Sequence, residues 1–328
     1  TTVSFGRNMT SSSPSSILFD KPQDKERKLG ELLAAKVFVI TAETSPPVSS
    51  DGDALLRRVE PLLGKADAVN ITDGAGARSH MASLAASALL VRAGFQPILQ
   101  MTVRDRNRLA LQNDLLGAGA LGVKNILCLT GDDVASGDQP EAKMVMDLDS
   151  RSLMKVARDM RDKGVLPSGR AVGEAPKFLI GAADAPGDPK GGWSPDPIRA
   201  KIKAGASFFQ TQFCFDIDLV KRYVSRLESE GLLEEASFLI GTGPIASAKS
   251  ALWMNENLFG VNIPERIISR IQSSSDQRAE GKKICIELIE QLKLIKGVAG
   301  AHLMGPNSEQ AIAEVVQNSG VLSSRAEA

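Results

Sequence analysis

KVFVITAETSPP, residues 36–47, is the stretch that decides the fold. Its first seven residues, 36–42, are nearly all apolar and do not alternate with polar ones. That is the pattern of a parallel strand covered on both faces. The residues just after the strand matter as much. A doubly wound nucleotide-binding sheet carries a glycine-rich GxGxxG turn after its first strand. Here the strand runs into AETSPP instead. Working outward, the same kind of segment returns at 68–72, 97–102, 125–130, 177–183, 207–213, 237–242 and 300–304. Amphipathic, helix-like sequence comes after each: 54–63, 80–92, 106–116, 150–162, 196–204, 217–228, a long stretch to 294, and 308–317. Eight strands with eight helical returns exceed the usual open sheet. The chain therefore reads as α/β, a (β/α)8 TIM barrel. The repeated Ala-Gly-Ala at 118–120 and 204–206 is expected to end a helix, with glycine in the left-handed cap.

The 328 residues suit one large domain that needs no metal or disulfide to hold its core. Residues 1–24, with the run TSSSPSS, read as a flexible N-terminal arm, and 25–328 as the barrel. The charge run at 24–28 reads as a solvated helix face. Lys and Arg balance Asp and Glu at 39 each, which speaks against a nucleic-acid or anionic-membrane partner and for a small molecule held by local groups. Cys128, Cys214 and Cys285 form no CxxC pair and read as core thiols in a reducing, cytoplasmic setting. Two histidines are too few for a His-rich metal site, so no metal is expected. No apolar run reaches the ~20 residues that span a bilayer.

In a barrel of this kind the active site lies at the C-terminal ends of the strands. Those ends supply Glu43, Thr72, Asp73, Gln100, Thr102, Gly131, Asp132, Asp184, Gln212, Gly243, Pro244 and His302. A carboxylate at Glu43, partly withdrawn from water, suits a general acid; the plainer alternative is a surface-loop glutamate. Asp132 follows Gly131, which lets a backbone approach a ligand, but Gly-Asp-Asp is also ordinary turn chemistry. Gln212, amid Phe209, Phe213 and Phe215, points to the barrel mouth or to a backbone partner. The phenylalanines, with Phe208, read as core before cofactor cage. His80 falls just inside a helix start, and His302 reads as a hydrogen-bonded core or rim histidine. No strand ends in lysine, which speaks against a Schiff-base aldolase. Glu43, Asp73 and Asp132 together leave open a carboxylate-metal lyase.

The order AETSPP, VNITDGAG, LCLTGDD, AGASFFQTQFCFD, LIGTGPI and GAHLMGPN resembles the methylenetetrahydrofolate reductases, over roughly residues 36–320. The resemblance implies an oxidoreductase of one-carbon metabolism and methionine biosynthesis. A flavin, FAD in the first instance, would take electrons from NADH or NADPH and reduce 5,10-methylenetetrahydrofolate to 5-methyltetrahydrofolate. Glu43 matches the general acid that protonates N10. Asp132 matches the aspartate near flavin and folate that stabilises a cationic intermediate, and Gln212 the glutamine that contacts folate and nicotinamide in turn. Thr72, Leu129, Thr130, Gly131 and Asp132 match flavin contacts, and Lys201 a phosphate contact. Gln100 stands where the family has a histidine, Thr130 where it has an arginine, Ala200 in place of another arginine, and Ala248 near the place of a stacking phenylalanine. These departures keep FMN, or no flavin at all, in view. They also motivate a second reading, a folate-binding subunit of a methyl-transfer assembly that draws electrons from a partner. Partners beyond the folate include a second copy of the chain or an electron-transfer subunit.

Overall fold

The computed structural model describes residues 28–323, so the expected arm lies outside the described residues. The elements run α1 (Leu29–Ala34), β1 (Val39–Thr44), α2 (Gly52–Val59), β2 (Ala68–Ile71), α3 (Ser83–Arg92), β3 (Pro97–Thr102), α4 (Arg108–Ala120), β4 (Asn125–Leu129), α5 (Ser150–Lys163) and β5 (Leu179–Asp184). They continue with α6 (Asp196–Ala204), β6 (Phe208–Phe213), α7 (Ile217–Ser229), β7 (Ser237–Thr242), α8 (Ala248–Asn257), α9 (Glu265–Gln272), α10 (Gln277–Lys293), β8 (Val298–Leu303) and α11 (Glu309–Asn318). The strands close into a barrel in sequence order, every neighbour parallel, with β8 pairing back to β1 through Thr41 and His302. The (β/α)8 expectation holds.

Strand residues that face outward pack under the helices, and this shell forms the main apolar core. The inward residues change character with height. At the N-terminal end Val39, Ala68, Ile98, Leu127, Phe208 and Leu239 form a second, separate apolar cluster. Helix α1 closes it from below with Leu29 and Leu32, both buried. Each such side chain contributes about 1.5–3 kcal/mol relative to exposure. Gly181 makes the space for Phe208, since a Cβ there would lie 2.3 Å from its ring. One level higher the interior turns polar: Thr41, Asn70, Gln100, Gln210 and His302 are all buried.

Several boundaries shift from the sequence reading. The first strand begins at Val39 and carries through Glu43 to Thr44, which places Glu43 in the strand rather than after it. The Ala118–Ala120 segment lies inside α4, and the left-handed glycine is Gly122, at φ +87°. Gly119 is instead a packing glycine, because a Cβ there would meet Pro176 at 2.9 Å. Gly205 does sit at a helix end with φ +125°, as expected. His80 lies before α3, not inside it, and its ring bonds the Arg78 carbonyl at 3.0 Å. The long helical stretch after β7 resolves into α8, α9 and α10. Asn255 ties its first turn-back by accepting from the Ile263 amide at 2.6 Å. The β6–β7 register shifts between Gln210 and Phe213. Gly241 permits this, since a Cβ there would lie 2.2 Å from the Thr211 carbonyl. Such an irregularity re-aims the side chains beside it, here Gln212.

Candidate functional site

Glu43 leans over the polar layer with its side chain 25% exposed. Gln100 Nε2 donates to its Oε2 at 2.7 Å. His302 Nε2 stands 3.7 Å from the same oxygen. Its other oxygen, Oε1, has no hydrogen-bond partner among the described residues. Beneath it, Asn70 and Gln210 exchange hydrogen bonds through both amides, at 2.6 and 2.9 Å. Gln210 Nε2 also donates to Thr41 Oγ1 at 2.9 Å, and Thr41 Oγ1 lies 2.9 Å from His302 Nδ1. Thr72 donates to Ser45 Oγ at 3.0 Å on the same side of the mouth.

The other expected site residues sit apart from this cluster. The Asp132 carboxylate accepts from the Gly76 amide at 2.7 Å, which ties the loop after β4 to the loop after β2. Arg104, itself buried, reinforces that junction by donating to the Asp132 carbonyl at 3.1 Å and to Asp105 at 2.6 Å. Gly131 holds φ +95°, which is strained for any side chain, and a Cβ there would press on Thr102 and Arg104 at 3.1 Å. Thr130 is exposed and Leu129 half-buried. Gln212 Oε1 accepts from the Phe213 amide at 2.9 Å, the backbone partner foreseen as one alternative. Its Nε2 has no partner among the described residues. Lys201 Nζ donates to the Ala183 carbonyl at 2.6 Å, and burial pulls its pKa down while Asp184 opposes the shift. Asp184 accepts from Tyr223 Oη at 2.5 Å, and its carboxyl is pushed up by burial. Asp73 is held by Arg106 and by the Thr102 amide at 2.8 Å. Among the described residues no group of three His, Cys, Asp or Glu could hold a metal, which leaves the lyase alternative without its centre.

Two cavities open among the loops and helices beyond the strand ends. The larger, about 620 Å³, lies outside the ends of β6, β7 and β8 and is lined by Phe213, Phe215, Ile245, Trp253, Met254 and Met304 among others. Phe213 and Phe215 stack there at 5.7 Å. Two cations reach it: Lys282, paired with Glu314 at 2.7 Å, and Arg278, which has no partner among the described residues. The smaller, about 260 Å³, is polar and lies between the loops after β2, β3 and β4, with Asp73, Arg78, His80 and Arg104 on its walls. Neither is lined by Glu43, Gln100 or Gln212. Phe208 and Phe209 are core, as expected, while Phe213 and Phe215 also line the larger cavity. Cys128, Cys214 and Cys285 are free and buried, as expected; burial pushes the Cys128 thiol up to about 12 and Cys214 to about 11.

Sequence reasoning missed Thr41, Asn70 and Gln210. The signal was present: each lies two residues before a strand-end polar group, giving the pairs Thr41/Glu43, Asn70/Thr72 and Gln210/Gln212. Side chains two apart share a strand face, so Thr41/Glu43 and Asn70/Thr72 mark one interior column each, while the register shift after Gln210 interrupts the third.

The fold and these contacts define a (β/α)8-barrel protein with a lone carboxylate set on a buried polar ring at the mouth. A sequence model of methylenetetrahydrofolate reductase matches residues 28–320, and the chain belongs to that family. It is similar to methylenetetrahydrofolate reductase 1 of Schizosaccharomyces pombe, 24% identical over 297 residues that cover 85% of this chain and 45% of the relative. It is also similar to a probable methylenetetrahydrofolate reductase (NADPH) of Caenorhabditis elegans, 25% identical over 311 residues, 90% of this chain and 44% of the other. The chain thus spans less than half the length of these curated relatives. Among solved structures, an uncharacterized Clostridium thermocellum protein that binds two copies of 5-methyl-5,6,7,8-tetrahydrofolic acid shares the fold. Its TM-score is 0.59 at 16% identity, covering 89% of this chain and 99% of that one. No helix among the described residues is long and apolar enough to cross a membrane.

Proposed function

We propose that this chain reduces 5,10-methylenetetrahydrofolate to 5-methyltetrahydrofolate, with Glu43 as the general acid. The observation that carries this reading is the Glu43 carboxyl itself. Two neighbours approach its Oε2, so the transferable proton belongs on Oε1, which faces no protein group. Protonation of N10 from Oε1 opens the five-membered ring and leaves a cationic iminium at N5. Hydride addition to the methylene carbon then completes the methyl group. Asp132, held at the rim by Gly76, acts on that cation through space as a charge rather than by direct contact. Gln212 offers its unpartnered Nε2 to the ligand. The larger cavity, apolar with Arg278 at its wall, suits the aryl and carboxylate end of a folate.

A flavin would supply the hydride step, accepting from NADH or NADPH and passing on to the folate. The fit of this chain to that group rests on two features. Lys201 and Arg151 stand close enough for the one charge to depress the other's pKa, a cationic corner for phosphate. Gly131 presents backbone without a side chain. Against them, Thr72, Leu129, Thr130, Gly131 and Lys201 line neither cavity, and Lys201 is already engaged by its own strand. Those facts favour a second reading, a flavin-poor folate-binding subunit fed electrons by a partner.

The absorption spectrum of purified protein, with NADH and NADPH oxidation measured in the presence of folate, tests both. A flavin spectrum with folate-dependent turnover supports the reductase. Colourless protein that takes up neither FAD nor FMN and oxidises neither nucleotide, yet binds folate, supports the subunit reading and removes the first.

A further inference from the structure

The buried polar layer links Asn70, Gln210, Thr41 and His302 through one continuous set of hydrogen bonds. Asn70 and Gln210 form a reciprocal amide pair, which uses one hydrogen of Gln210 Nε2. The second hydrogen goes to Thr41 Oγ1 at 2.9 Å. Thr41 Oγ1, which has a hydrogen to donate and a second lone pair to offer, lies 2.9 Å from His302 Nδ1. Gln210 Nε2, a group with hydrogens and no lone pair to offer, stands 3.2 Å from the same Nδ1. A proton on Nδ1 would be set against the Gln210 amide hydrogens, while the Thr41 hydroxyl can serve either tautomer, so it is the amide that makes Nδ1 the lone-pair nitrogen. The neutral ring then carries its proton on Nε2, the nitrogen that faces Glu43 Oε2 at 3.7 Å.

We infer that His302 is a positioning residue for Glu43, locked in its Nε2–H tautomer by the chain Asn70–Gln210–Thr41. This rests on the reading of Glu43 as the acid. Its consequence is regiochemical. With Gln100 and His302 both presenting hydrogens to Oε2, the proton of the neutral carboxyl is confined to Oε1, on the ligand side. After transfer, the same two donors stabilise the carboxylate that remains. A ring in the other tautomer would set a lone pair against Oε2 and draw the acid proton inward, away from the substrate. The second nitrogen of a histidine sets which proton the first can offer, and a wrong tautomer is costly where a reaction depends on it.

The chain has two histidines, His80 and His302, so ¹⁵N-histidine labelling gives a spectrum that one His80→Gln variant assigns. The expected wild-type result is an Nε2–H tautomer for His302. Gln210→Glu replaces the donor beside Nδ1 with an acceptor and should move the proton to Nδ1. Folate reduction should then fall on the order of 10²-fold in kcat, the lower range for a positioned proton donor, with KM little changed. Thr41→Val, which removes only the relaying hydroxyl, is the second variant should Gln210→Glu fold poorly; a mixed tautomer and a smaller loss of kcat are expected. An Nδ1–H tautomer in the wild type overturns the inference, as does either variant that shifts the tautomer but keeps wild-type kcat. Glu43→Gln run alongside separates the two levels. If it retains full folate turnover, the acid reading fails whatever the histidine does. If it abolishes turnover while the tautomer variants remain fully active, only the positioning role fails.

Discussion

Replacing Asn70 with alanine should destabilise the barrel from its centre. Asn70 is buried at the polar level and shares two hydrogen bonds with Gln210, at 2.6 and 2.9 Å. Gln210 Nε2 keeps Thr41 and His302 as partners after the change, so the group left orphaned is its Oε1 carbonyl. An unsatisfied buried acceptor costs about 1–3 kcal/mol, and the vacated side-chain volume adds a smaller term, for a total of about 2–4 kcal/mol. Urea unfolding followed by circular dichroism reads this as a lower midpoint at unchanged slope. The double variant Asn70→Ala/Gln210→Leu sharpens the test. It removes both polar partners, and replacing both is far cheaper than orphaning one. The double variant should therefore be more stable than Asn70→Ala alone. A single-variant loss below about 0.5 kcal/mol, or a double variant that loses the sum of two separate penalties, refutes the reasoning.

Other consequences are open to direct measurement. Arg278→Ala should raise the Kd for p-aminobenzoylglutamate and the KM for folate by about tenfold, the worth of one charge-assisted hydrogen bond of ~1.4 kcal/mol, with kcat unchanged; unaltered binding by calorimetry removes the larger cavity from the folate site. Burial raises the Asp184 carboxyl above its ordinary value, so its ionisation costs folded-state stability, a cost absent below the unfolded-state pKa and growing as pH rises from there to the folded value. Asp184→Asn should therefore look better relative to wild type at pH 7 than at pH 4 in paired thermal melts, and the opposite order contradicts the burial argument. The three cysteines are free and buried, with all three thiols pushed up. Native protein should therefore react slowly with a disulfide reagent and release its thiols only on unfolding; rapid labelling of Cys128 or Cys214 in the native state runs against it.

The barrel was legible because its strands are largely apolar on both faces and because the first of them runs through AET into SPP, with no glycine-rich phosphate turn. Strand edges moved by a few residues, since hydrogen bonding and not hydropathy ends a strand: Glu43 pairs in register with Asn70 and so belongs to β1. Helix α1 went unread because six residues carry too little periodicity, and its role as a plug depends on meeting Leu127, Phe208 and Leu239 from distant parts of the chain. At the site, Glu43 and Gln100 were both picked out as strand ends, and the structure brings them to 2.7 Å. Asp132 and Gln212 were picked out on the same rule but turn to backbone amides, an outcome that depends on loop geometry. His302 was read as a hydrogen-bonded core histidine, which it is; that its ring faces Glu43 follows only from barrel closure between β8 and β1. The larger cavity draws on α8, α10 and α11, and no local pattern announces a wall built from three helices.

The role proposed for the Glu43 carboxyl is to give its proton to the folate. Its most direct test is the Glu43→Gln variant, assayed for NADH or NADPH oxidation once with a quinone acceptor and once with methylenetetrahydrofolate. Quinone-linked oxidation is expected to stay close to wild type and folate reduction to fall on the order of 10²–10⁴-fold, the contribution of one positioned proton donor. Folate reduction that stays near the wild-type rate would contradict it.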